Sequence, residues 1–132
     1  MTDIESYFSY IFNPKSFGYG HIKNMLNGYC ALAGNSTAGY MDCYFSPEWQ
    51  DYGLEYFGEG KVLFDFHAPA VDEDRRTIIS YQEFYEIVHR YCAAYANQHL
   101  EEKEEILHLL ERLKKRLDSA STTDLKVCHR QT

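Results

Sequence analysis

From Ser80 to Leu117 the pattern demands two amphipathic helices, and that demand constrains everything else the chain can do. Ser80 and Glu83 form an S-x-x-E capping box, in which each side chain satisfies a backbone N–H at a helix start. Behind it Phe84, Ile87, Val88, Tyr91, Cys92 and Tyr95 recur at i, i+3, i+4, i+7, i+8 and i+11, which predicts one buried stripe. The final helix is predicted to begin near Glu101. Glu101, Glu102, Glu104 and Glu105 open it, and Lys114, Lys115 and Arg116 stand near its end, so both ends oppose the helix dipole favourably. Its apolar stripe is Ile106, Leu109, Leu110, Leu113 and Leu117.

The remainder must supply surfaces for those stripes. Asp3 to Phe12 places Ile4, Tyr7, Phe8 and Ile11 at helical spacing before an Asn13-Pro14 stop. Gly18 to Tyr29 reads as a second short helix around Ile22, Met25 and Leu26, and Gly34 to Thr37 reads as a loop. Tyr40 to Phe45 alternates and is rich in aromatics, as a strand would be, and Ser46-Pro47-Glu48 turns the chain. Leu54 to Phe57 and Val62 to Phe66 read as two strands of a hairpin around Gly58-Glu59-Gly60. His67 to Arg76, with Pro69 and four charges before Arg76, reads as a loop. Residues 119–132 lack periodicity, so they form either a frayed tail or a short extra strand through Leu125 to Cys128. The expected architecture is α+β in one domain: N-terminal helices, a small antiparallel sheet in the middle and two C-terminal amphipathic helices. At 132 residues one real core is affordable, and 45% apolar with 25% charged residues argues against wholesale disorder.

Charge excludes one class of partner. The net charge is −7, with no basic stripe, whereas nucleic-acid binding needs Lys and Arg against phosphates. The four cysteines (Cys30, Cys43, Cys92, Cys128) lack C-x-x-C spacing or a zinc-type His/Cys pattern, which favours free thiols in a reducing compartment. Met1 to Phe12 has no basic start and carries Asp3 and Glu5, unlike a secretory signal. No apolar run approaches the ~18 residues of a membrane span. A cytoplasmic protein is expected.

The sequence offers no recognisable catalytic apparatus. Asp72 to Glu83 imitates a calcium loop, with Asp72, Asp74, Ile79, Ser80 and Glu83 at loop positions 1, 3, 8, 9 and 12. Position 5, which needs an oxygen ligand, is Arg76, and position 6, which needs glycine, is Thr77. A guanidinium repels Ca²⁺, so Ser80 and Glu83 are better read as a helix cap than as part of a calcium-responsive module. The six histidines (His21, His67, His89, His99, His108, His129) show no local pairing as a nucleophile–base unit, and the Gly18-Tyr19-Gly20 and Gly58-Glu59-Gly60 runs lack the context of a phosphate loop. Neither a metal nor a cofactor is expected.

One segment remains unspent. Asp42 to Asp74 holds nine acids and a single base, Lys61, and interleaves Trp49, Tyr52 and Tyr56 with Glu48, Asp51, Glu55 and Glu59. The same composition fits a solvated sheet face. Its functional reading is a contact surface for a basic protein, with carboxylates steering encounter and aromatic rings as anchors. The expected contact residues are Trp49, Asp51, Tyr52, Glu55, Tyr56, Glu59, Asp65, Asp72, Glu73 and Asp74.

The run Gly60-Lys61-Val62-Leu63-Phe64-Asp65-Phe66, the acidic loop, the segment Ile79-Ser80-Tyr81-Gln82-Glu83-Phe84-Tyr85, the helix with Tyr91-Cys92-x-x-Tyr95 and the Glu/Lys-rich last helix together resemble immunity proteins of bacterial contact-dependent growth inhibition. More narrowly they resemble the group guarding against ribonuclease toxins of the tRNase type, EndoU-class toxins among them. The resemblance spans Tyr40 to Leu117. It implies a non-catalytic protein that binds a cognate toxin's nuclease domain in the cytoplasm and masks its active site or RNA path, without a cofactor. Some other protein-interaction module, or a small enzyme with an unrecognised site, is the alternative.

Overall fold

The structure, a computed structural model, describes residues 2–13, 21–37, 41–67 and 71–131. Its order is α1 (Asp3–Ile11), α2 (His21–Cys30), β1 (Ser36–Thr37), β2 (Met41–Phe45), a 3₁₀ turn (Ser46–Glu48), β3 (Lys61–Phe66), β4 (Arg75–Ser80), α3 (Tyr81–Gln98) and α4 (Leu100–Gln131). The strands form one antiparallel sheet in the order β1-β2-β3-β4. This is the α+β architecture the pattern predicts.

Helix starts are chemically marked. The Thr2 side chain accepts the Glu5 N–H at α1, and Ser80 Oγ accepts the Glu83 N–H at 3.1 Å at α3. Alternation along the strands turns Cys43, Phe45, Val62, Phe64, Phe66 and Ile79 to the helices. Ile4, Tyr7, Phe8 and Ile11 of α1 and Ile22, Met25, Leu26 and Tyr29 of α2 meet them. Phe84 is the aromatic hub: its ring centroid lies 5.0 Å from Tyr29, 5.2 Å from Phe45, 6.2 Å from Phe64 and 6.3 Å from Phe8. α4 packs on α2 and α3 through Ile106, Leu109, Leu110, Leu113 and Leu117.

The structure corrects the reading in four places. Leu54 to Phe57 is not a strand, and no hairpin closes at Gly58-Glu59-Gly60. Both sides of β3 are already taken, by β2 and β4. Gly53, Gly58 and Gly60 also adopt positive φ (66°, 105° and 63°), which keeps the intervening chain turning. The missing partner is β4, whose Arg75 and Arg76 suggested a loop. It is an edge strand with exposed charges, a composition that edges favour because it discourages further pairing. Ser36 and Thr37, within the expected loop, pair with β2. Residues 119–131 continue α4, in place of a frayed tail or a Leu125–Cys128 strand. Gly18 to Gly20 and Tyr40, at the edges of two expected elements, lie outside the described residues.

Candidate functional site

The sheet has one face under the helices and one facing away. Register places Asp42, Asp65 and Arg76 in one row across β2, β3 and β4 on the outer face, and Tyr44, Leu63 and Ile78 in the next. The segment between β2 and β3 folds back over this face. Tyr52 packs on Tyr44 with ring centroids 5.0 Å apart, and Trp49 meets Tyr56 edge-on at 5.5 Å. Leu63, though on the outer face, is 2% exposed.

Glu48 anchors that segment. Its Oε1 accepts the Phe45 N–H and the Gly34 N–H, both at 2.8 Å. The Leu54 N–H then donates to the Trp49 carbonyl at 2.8 Å, closing a turn that holds Asp51 and Tyr52 outward. Asp51, Tyr52, Glu55 and Tyr56 are all exposed, the two tyrosines at 58% and 53%, while Trp49 and Glu59 are half-buried. Large rings held this open to water by a pinned backbone are poor core and good anchors.

A cleft of about 140 Å³ runs beneath Tyr52, lined by Gly34, Asn35, Asp42, Tyr44 and Glu48 among others. Its field is negative. Burial, and after it the Asp42 and Asp65 carboxylates, push the Tyr44 phenol above its ordinary range. A second cavity of about 480 Å³ opens between the start of α3 and α4, lined by Tyr81, Tyr85, Glu86, Lys114 and Asp118 among others. Tyr81 joins it to the loop end of the sheet, its hydroxyl 3.0 Å from Ser46 Oγ. Sequence reasoning missed this cavity because its walls come from two elements about thirty residues apart in the chain.

The expected contact residues do not form one continuous field. The β2–β3 connection and the β3–β4 connection leave opposite ends of the sheet, separated by a six-residue strand or roughly 20 Å. Trp49, Asp51, Tyr52, Glu55, Tyr56 and Glu59 belong to the first. Asp72, Glu73 and Asp74, all exposed, belong to the second. Asp65 belongs to neither. It lies on β3, only 6% exposed, between Arg76 Nε at 3.4 Å and His67 Nε2 at 3.3 Å. Its charge is matched inside the protein, so it presents no free carboxylate to a partner.

The thiols are held away from nucleophilic chemistry. Cys43 and Cys92 are buried, and burial pushes the Cys43 thiol well up and the Cys92 thiol to about 12, so both stay protonated at neutral pH. Cys30, half-buried, is raised as well, burial outweighing the opposing influence of Arg112. The Cys128 side chain lies outside the described residues. The residues of the calcium-loop imitation cannot wrap an ion, because Arg75 to Ser80 are extended and paired with β3. No helix among the described residues is long and apolar enough to cross a membrane.

Fold and surface thus define a small α+β protein with a pinned acidic, aromatic loop over the outer face of its sheet. The sequence model of one family, described as CDI immunity protein, matches residues 4–110, and the chain belongs to that family of contact-dependent growth inhibition. The match starts inside α1, so both N-terminal helices fall within it, ahead of the Tyr40–Leu117 span in which the resemblance was legible. No curated protein and no solved structure matches the chain significantly. Family membership makes this a toxin-neutralising immunity protein, whose partner is a cognate CDI toxin.

Proposed function

We propose that this protein neutralises a nuclease toxin, of the ribonuclease class, by covering its active site or RNA path with the pinned loop and the neighbouring outer face of the sheet. The supporting observation is the pairing of Tyr52 and Tyr56, each more than half exposed, with the exposed carboxylates of Asp51 and Glu55 on a backbone fixed by Glu48. A ribonuclease must present Lys and Arg to its substrate, and a surface of fixed carboxylates competes for the same cations. Trp49 stiffens the loop from behind by its contact with Tyr56. Glu59 adds charge, and Asp72, Glu73 and Asp74 extend the negative field at the far end of the sheet. Inhibition on this reading is by occupancy, takes place in the cytoplasm and requires no catalytic step. A contact of standard size, ~800 Å² per partner, is enough for a stable complex.

The test is to co-express the chain with the toxin domain encoded beside it, purify the complex and assay RNA cleavage. Co-purification with loss of cleavage supports the proposal. A tight complex that still cleaves RNA at full rate removes the masking mechanism, and a toxin that does not attack RNA removes the ribonuclease class.

A further inference from the structure

The outer-face row that buries Asp65 has an arrangement for which toxin binding gives no account. We propose that Asp42, Asp65 and His67 bind a borderline divalent cation of the Zn²⁺ class. Asp42 and Asp65 stand directly opposite each other on β2 and β3, and like charges so placed destabilise a sheet unless something lies between them. Both side chains are largely buried, at 15% and 8% exposure, and Arg76, which balances Asp65 through Oδ1, sets one guanidinium against the two carboxylates. His67 follows Asp65 by two residues and returns to the same face. Its Nε2 lies 3.3 Å from Asp65 Oδ2 and 3.7 Å from Asp42 Oδ2, and one donor atom from each of the three residues falls within 4.8 Å of the others. Bonds of ~2.0–2.2 Å in a tetrahedral site place ligand atoms about 3.3–3.6 Å apart, so an ion fits among these atoms with small side-chain adjustments.

The surroundings suit a metal as well as the donors do. The other imidazole nitrogen, Nδ1, faces Asp74 Oδ2 at 3.6 Å, the carboxylate–histidine arrangement that orients a metal-bound ring. Arg76 approaches Asp65 through Oδ1, at 3.4 Å, and leaves Oδ2 to the site. One imidazole with two carboxylates suits Zn²⁺ or Co²⁺. It supplies too few oxygens for Ca²⁺, and it contains no thiolate. His67 is 35% exposed, which leaves a coordination position open to water. An ion here would tie β2, the end of β3 and the acidic turn at residues 72–74 together.

The experiment needs no toxin, so its failure would leave the proposed function standing. The metal-stripped full chain is titrated calorimetrically with ZnCl₂ at neutral pH, and Co²⁺ is added in parallel to read the ligand field. The expected result is saturable binding of one ion per chain, with a Co²⁺ d–d spectrum free of thiolate charge transfer. His67→Gln and Asp42→Asn, both at partly exposed positions, should each weaken binding at least about tenfold, and Asp74→Asn roughly tenfold, with unchanged circular dichroism in metal-free buffer. Absence of saturable heat overturns the site and leaves the Arg76 guanidinium as the counter-charge of the row. Binding that survives His67→Gln, or a thiolate charge-transfer band, overturns it equally, by placing the metal elsewhere.

Discussion

Glu48 Oε1 accepts a 2.8 Å hydrogen bond from the backbone N–H of Gly34, fourteen residues earlier, and so ties the β2–β3 loop to the chain leading into β1. The same oxygen accepts the Phe45 N–H. Glu48→Ala deletes both charge-assisted bonds and should lower stability by about 1–3 kcal/mol in denaturant unfolding. It should also loosen Tyr52 and Tyr56, read as faster amide exchange at Gly34, at Phe45 and through residues 46–60.

Gly34 itself admits no side chain. A Cβ there would lie 1.7 Å from the Cys43 carbonyl oxygen, and this neighbour is backbone that cannot swing away. Gly34→Ala should therefore destabilise the protein by at least about 1–3 kcal/mol, the ordinary penalty of overpacking, measured as a lower denaturant midpoint at constant slope.

Tyr7 and Tyr29 both donate their buried hydroxyls to the side-chain oxygen of Asn35, whose backbone oxygen in turn accepts the Cys43 N–H at 2.8 Å. Asn35→Leu takes the acceptor from the Tyr29 hydroxyl in a low-dielectric core and leaves the Tyr7 hydroxyl only its longer 3.3 Å bond to the backbone oxygen of residue 35. An expected loss of about 1–3 kcal/mol follows from the unmet donors, and a milder effect in Tyr29→Phe/Asn35→Leu than in Asn35→Leu alone would show that desolvation is the cause.

Alkali should unfold the protein ahead of backbone chemistry. Burial raises the Cys92 thiol from 9.0 in an exposed setting to about 12 in the fold, so above pH 9 the unfolded chain releases a proton that the native chain retains. The native state then binds more protons, and stability falls as pH rises. Below about pH 9 this stabilisation is complete. Between 9 and 12 it declines at roughly 1.4 kcal/mol per pH unit for this group. The buried Cys43, Tyr7 and Tyr29 are raised in the same direction. Equilibrium unfolding between pH 8 and 11 checks this, and Cys92→Ala should flatten the slope.

Periodicity made the helices readable because helical contacts are local in sequence. The stripes of α1, α3 and α4 and the Ser80 cap are found where the pattern puts them. The sheet was harder. β3 was plain from Val62 to Phe66, but its second neighbour is a strand that begins Arg75-Arg76, and nothing local reveals that Arg76 lies opposite Asp65. Leu54 to Phe57 has strand-like residues and no free sheet edge beside β3. The exposed quartet of Asp51, Tyr52, Glu55 and Tyr56 was legible from composition. The division of the acids between two ends of the sheet, and the inward use of Asp65, were not, because both depend on register across strands.

On the proposed function, the Asp51–Tyr56 loop meets the toxin and its carboxylates set the rate of association. Stopped-flow association of the Asp51→Lys/Glu55→Lys variant with the cognate toxin domain, across a range of salt, tests this most directly. The on-rate at low salt should fall about tenfold or more, and variant and parent should converge at high salt, where screening removes the steering. An on-rate and a salt slope identical to those of the unmodified protein would contradict it.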